Sequence, residues 1–264
     1  MTSPESPAPA PAREPIFNVP TVVLLMIALM VLIHAVLEFG MSAQASNEFL
    51  LMFSFIPARY DAGVLASEPW TLGWGPAIWS FVTHAFIHSN FTHLFFNLAM
   101  LLAFGAPVAR RFGAARFVVF FLVTAAAGAA VQLAVDWGEL ILVIGASASI
   151  SALTAAALRF VFQPGGPLER IGSADGRANQ VPAASFREML QDRRIVLFMV
   201  FWFGLNLLFG FRIIPFPGLD GRIAWEAHIG GFLVGLLAFP LFDPIRAPGK
   251  TGSGEPPPPT PTIH

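Results

Sequence analysis

Six stretches of this sequence are too long and too apolar to face water: 19–39, 91–109, 115–135, 144–162, 195–211 and 223–242. A helix needs about 20 largely apolar residues to cross the hydrocarbon of a bilayer. Each stretch approaches that length, the fifth falling on the short side. Inside lipid every backbone N–H and C=O must be satisfied internally, so only helices or a closed barrel can span. Barrel strands alternate in polarity with period two, and these runs do not alternate. The sequence therefore predicts an all-α, polytopic membrane protein, a six-transmembrane-helix bundle over 19–242. Composition agrees, with 55% hydrophobic and 12% charged residues against about 25% charged in soluble domains.

Arginine and lysine set the expected orientation, because cytoplasmic loops carry the excess of both. Arg13, Arg110, Arg111, Arg116, Arg159, Arg170, Arg177, Arg187, Arg193, Arg194, Arg246 and Lys250 fall on one side, and Arg59, Arg212 and Arg222 on the other. Both termini are thus expected in the cytoplasm, as in an inner (plasma) membrane protein. The long loop 40–78 then lies outside and the polar loop 163–192 inside, the latter expected to be mobile. The apolar stretch 49–56 of the outer loop is too short to span and is expected to lie in the interface or re-enter. The proline-rich ends, 1–18 and 243–264, read as disordered, and the N-terminal run does not read as a signal peptide. The absence of cysteine excludes disulfides, thiolate zinc sites and a cysteine nucleophile. A net charge of -1 gives no reason to expect a nucleic-acid partner.

Polar groups inside spans are costly, and each is a candidate for function. Taken singly most are structural: a serine bonds back to its own helix, and an Asn or Gln joins two helices. His34, Gln132 and Asn206 are read that way. Depth singles out four others. With the orientation above, His93 and Asn97, Ser147, and His228 lie in three different spans, all near the outer face. His93 and Asn97 are i, i+4 and share a helix face. His228, Gly231 and Gly235 share another, and the two glycines form a small-residue stripe that lets a second backbone come close. Ser147, Ser151 and Ala155 form a similar stripe. If the two stripes pack together, Ser147 and His228 come within hydrogen-bond reach.

That pair supports acyl transfer. A serine hydroxyl becomes a useful nucleophile when a neutral imidazole takes its proton. Glu226 is two residues from His228 and faces elsewhere, which leaves a Ser–His dyad. Oxyanion donors are on hand in His93, Asn97 and the Ser147 N–H, which opens its helix and has no acceptor within it. Gly145 permits a tight turn at the helix entrance. Ser149 lies about 200° around the helix from Ser147 and faces away.

The run containing His84, His88, His93 and Asn97 resembles the second-helix motif of rhomboid proteases. Gly145-Ala146-Ser147-Ala148 is similar to their nucleophile motif, and Ala227-His228-Ile229-Gly230-Gly231 with Gly235 to their sixth-helix motif. The resemblance spans 19–242 and departs from the family's usual residues at Ser80, Ala109 and Ala148. It implies a rhomboid-like bundle and a serine endopeptidase that cuts in or beside the transmembrane helix of a single-pass membrane protein. Ser147 is then nucleophile, His228 general base, and His93 and Asn97 oxyanion-binding, with His84 and His88 structural or near-site groups. The fifth helix and the loop after it, 195–222, form a lateral gate and cap. No cofactor or metal is implied, and the partners are the substrate and the bilayer. Two other readings stay open: a non-catalytic rhomboid-like protein that binds membrane helices, and a histidine-rich transporter. Oligomeric state is not legible.

Overall fold

The computed structural model describes residues 19–67, 74–170, 176–211, 213 and 223–245. The terminal segments 1–18 and 246–264, and nearly all of the connection 212–222, lie outside the described residues. Among the described residues the chain is helical, its only extended pairing a single bridge between Phe55 and Val143. In chain order the helices are α1 (Thr21–Ala35), α2 (Ala43–Phe53), α3 (Ala62–Ser67), α4 (Trp74–Thr83), α5 (Phe91–Met100), α6 (Ala106–Phe112), α7 (Ala114–Val135), α8 (Ser147–Leu158), α9 (Phe186–Gln191), α10 (Arg193–Gly210) and α11 (Trp225–Phe242).

Among the described residues five rods are long and apolar enough to cross a membrane: Thr21–Gly40, Phe91–Phe112, Ala114–Val135, Arg193–Gly210 and Trp225–Phe242. Leucines and valines such as Leu25, Leu32, Val119, Val200 and Leu237 stand exposed on them, as a lipid-facing surface requires. The rod Phe91–Phe112 runs through wide π turns at Leu101–Gly105 between α5 and α6. Pro107 follows at once; it lacks an N–H and so removes a rung from the helical ladder at that point.

α8 is shorter than its apolar window predicts. It has 12 residues, about 18 Å of rise against about 30 Å of hydrocarbon. Every residue from Ala148 to Leu158 is buried, because α8 runs up the middle of the bundle among α5–α6, α7 and α11. An apolar window looks the same whether its neighbours are lipid or other helices. The non-helical approach to α8 has backbone groups satisfied by protein: Val143 N donates to Phe55 O at 2.8 Å and Gly145 N to His84 O at 2.9 Å.

Lipid tails are as apolar as leucine, so close backbone packing rather than the hydrophobic effect joins these helices. The glycine stripe of α11 faces α8 as expected, but it seats on Ala148 and Ala152 rather than on Ser147, Ser151 and Ala155. A methyl on Gly231 would overlap the Ala148 carbonyl oxygen, and one on Gly235 would come within 2.5 Å of Ala152 Cα. One residue is a 100° rotation, so this register buries the alanines and leaves Ser147 beside the contact. Ala148, a departure from the family pattern, is accommodated by Gly128 of α7, whose missing methyl would lie 2.5 Å from the Ala148 Cβ.

The 40–78 loop is folded where it is described. Phe55 and Ile56, in the stretch expected to lie in the interface or re-enter, are buried in protein, with Phe55 packed among Ala129 and Val143. The bridge to Val143 and bonds from Thr83 Oγ1 to Phe53 O and Trp79 Nε1 to Met52 O hold them there. In the described part of the 163–192 loop, Ala184 N donates to Arg159 O and Ala184 O accepts from Arg159 Nε, each at 2.6 Å. Ser185 and Glu188 close a reciprocal cap on α9.

Arg111 sits at the far end of α11 from His228, fully buried. Its guanidinium grips Asp243 bidentately, Nε and Nη2 each 2.9 Å from a carboxylate oxygen. Nη1 donates to Asn179 O and Val181 O at 2.9 and 2.8 Å, and the rings of Phe160 and Phe239 flank the group. Removing one partner of a buried, hydrogen-bonded ion pair costs about 3–5 kcal/mol. Arg111→Ala is expected to lose that much in denaturant unfolding of the detergent-solubilised protein. Arg111→Lys should not restore it, because an ammonium lacks the planar fork. An unchanged unfolding midpoint for Arg111→Ala would dismiss the clamp as a source of stability.

Candidate active site

The turn before α8 is built for close approach. Gly145 has φ +116°, a region L side chains rarely adopt, and a methyl there would lie 2.8 Å from the His93 ring. Glycine is required at that position on both counts. The turn delivers Ser147 as the first residue of α8, half-buried, with its hydroxyl free of the backbone bonding that occupies its neighbours. Ser149 Oγ donates to Phe121 O at 2.7 Å, Ser151 Oγ to Ser147 O at 2.7 Å, and Thr154 Oγ1 to Ile150 O at 2.9 Å. Ser149 thus faces α7, as its spacing predicts.

His228 lies in the first turn of α11, half-buried. Its Nε2 is 2.7 Å from Ser147 Oγ, and its Nδ1 is 2.7 Å from Asn206 Oδ1 on α10. Glu226 turns away, as expected from its two-residue offset. It meets Gln132 of α7, which also accepts from the Ala227 N–H at 3.1 Å and donates to Asp136. Gln132 therefore joins two helices.

Asn90 caps α5 by accepting from the His93 N–H at 2.9 Å. His93 Nδ1 lies 3.1 Å from Ser89 Oγ and accepts from the Ser89 N–H at 3.4 Å. A backbone N–H only donates, so the proton of a neutral His93 ring resides on Nε2, the atom that lies over Gly145. Asn97 Nδ2 donates to His93 O at 2.9 Å.

The other histidines play a different part. His84 is buried with Nδ1 2.8 Å from Ser80 O. Burial lowers its pKa to about 4, opposed by that carbonyl. His88 is buried too, its ring edge-on to His93 at 5.2 Å. Burial, then the His93 and His34 imidazoles, lower it to about 3. Both are neutral at physiological pH. His34 Nδ1 lies 3.2 Å from His88 O, a packing role consistent with its reading from sequence. Among the described residues no three His, Asp or Glu side chains gather as a metal site would.

Ser147, His228, His93 and Asn97 all border one cavity of about 630 Å³, floored by α8 and walled by α5, α10 and α11. Gly231 and Gly235 do not reach it; they act by letting α11 approach α8. Asn206 does reach it, and sequence reading assigned it only a helix–helix hydrogen bond. The signal was present: Asn206 is a polar residue within an apolar span, four residues before the C-terminal end of α10, and it stands level with His228.

Comparison with known proteins matches the Rhomboid domain over residues 76–243. Rhomboid protease GlpG of Yersinia pestis (strain Pestoides F) is 28% identical over 160 residues, covering 61% of this chain and 46% of the relative. GlpG of Yersinia pseudotuberculosis serotype O:3 (strain YPIII) matches to the same extent, and that of serotype I (strain IP32953) is 27% identical over the same length. The chain spans about half the length of these curated relatives.

Proposed function

The chain belongs to the rhomboid family, and from that premise we propose that it is an intramembrane serine endopeptidase, hydrolysing a peptide bond in or near the transmembrane helix of a single-pass membrane protein. The observation that carries this reading is the 2.7 Å contact between Ser147 Oγ and His228 Nε2 at the edge of a cavity large enough for several residues of extended chain.

Ser147 Oγ attacks the scissile carbonyl carbon as its proton passes to His228 Nε2. His93 Nε2–H, the Asn97 amide and the Ser147 N–H, all of residues lining the cavity, are the donors offered to the resulting oxyanion. Each such donor is worth about 10²–10³ in rate. His228 then returns the proton to the departing amine, and the new N-terminus leaves. Water, deprotonated by His228, attacks the acyl-serine, and the second product departs as a carboxylic acid with Ser147 regenerated. Polar groups around the cavity, including Ser89, Asn90 and Gln132, suit a site that must admit that water.

The arginine distribution supports both termini in the cytoplasm and this site near the outer face. The terminal segments 1–18 and 243–264 then extend from the 19–242 bundle on the cytoplasmic side. The test is to incubate the purified full chain, in detergent and in vesicles, with a generic transmembrane substrate and, separately, with a fluorophosphonate. Cleavage with covalent labelling at Ser147 is expected. A folded protein that binds the substrate helix yet neither cuts nor labels would be a non-catalytic relative.

A further inference from the structure

We propose that Asn206 is a positioning residue: it holds His228 in the one tautomer able to take the Ser147 proton, and so makes the base depend on where α10 stands. This rests on the hydrolytic reading above.

The hydrogen bonds leave one assignment. Asn206 Nδ2 donates to the Trp202 carbonyl oxygen, one turn back on its own helix, at 2.8 Å. A carbonyl oxygen only accepts, so the amide cannot be turned over. Its Oδ1 is therefore the atom 2.7 Å from His228 Nδ1. Oδ1 also only accepts, so Nδ1 carries the proton. A neutral imidazole has one, which leaves Nε2 with a lone pair aimed at Ser147 Oγ. The opposite tautomer would set two lone pairs against each other at Nδ1 and turn an N–H toward the nucleophile. When His228 accepts the serine proton, the bond to Asn206 becomes charge-assisted and strengthens.

The anchor sits on the least embedded wall of the site. His228 belongs to α11, packed backbone to backbone on α8. α10 buries only Ile195 and Trp202. It meets α11 through the Trp202 and Phe203 rings on Phe232, at 4.7 and 5.1 Å. Gly204, between them and Asn206, has nothing within 4 Å of where its side chain would be. An outward shift of α10 by little more than an ångström takes Oδ1 out of bonding range while Ser147 and His228 stay together.

Asn206→Leu keeps the volume and removes the acceptor; Asn206→Asp keeps an acceptor oxygen. In vesicles with a transmembrane substrate, Asn206→Leu is expected to lower kcat about 10- to 100-fold with KM within about threefold. Fluorophosphonate labelling of Ser147 should slow in parallel, and Asn206→Asp should recover to within about tenfold of wild type. A packing role would shift the unfolding midpoint and spare neither variant. Wild-type kcat in Asn206→Leu, or equal impairment of Asn206→Asp, overturns the proposal while the hydrolytic reading stands. A wild type that neither cleaves nor labels overturns that reading and this proposal with it.

Discussion

Ser147→Ala is expected to abolish cleavage, a loss of about 10⁴-fold or more, while Ser149→Ala keeps a rate near wild type. The two serines are two residues apart on one buried helix, and their hydroxyls lead different lives. Ser147 Oγ points at an imidazole nitrogen 2.7 Å away, and Ser149 Oγ at the Phe121 carbonyl, also 2.7 Å away. Only the first has a base to take its proton. Losing the second removes one intramolecular hydrogen bond, about 1 kcal/mol of stability, and no chemistry. The check is substrate cleavage by both variants at matched protein concentration, with fluorophosphonate labelling as the second readout. Persistent turnover in Ser147→Ala, or its loss in Ser149→Ala, would reassign the nucleophile.

Gly231→Ala is expected to lower cleavage by about 100-fold or more although Gly231 lies outside the cavity. The added methyl would overlap the Ala148 carbonyl oxygen. That oxygen belongs to the backbone of a fully buried helix and cannot rotate aside, so α11 must move. The overpacking itself costs about 1–3 kcal/mol, which the bundle can absorb. The larger effect is on geometry. His228 is one turn before Gly231, and a displacement near 1 Å between reacting groups costs about 10²-fold in rate. Gly204→Ala is the control: it adds the same methyl in open space on α10 and should leave turnover unchanged. Cleavage within about threefold of wild type in a folded Gly231→Ala protein would show that the α8–α11 contact does not set the Ser147–His228 distance.

Much of this was legible from sequence because it depends on short windows. Apolar runs located five long rods and the position of α8. Helical spacing put His93 and Asn97 on one face, turned Ser149 and Glu226 away, and matched the glycines of α11 to a small-residue face of α8. Register is where spacing failed: it paired the glycines with Ser147, Ser151 and Ala155, and they sit instead against Ala148 and Ala152, one residue along. Both faces carry small residues, and only the atoms of the opposing helix choose between them. Arg111 shows the same limit. As a basic residue between two spans it serves as a sign of topology, and nothing in its neighbourhood reveals a partner 132 residues away.

The sequence by itself determined an all-helical membrane bundle, the entrance turn at Gly145, and the residues whose chemistry suits the site. Those follow from local rules: bilayer thickness, 100° of rotation per residue, and the conformational freedom of glycine. Tertiary structure alone decided that α8 is short and central, that Ser147 stands beside the glycine contact, and that Asn206 fixes the proton on His228. Each of these rests on distances between helices far apart in the chain, where a shift of one residue or one ångström changes which atoms meet.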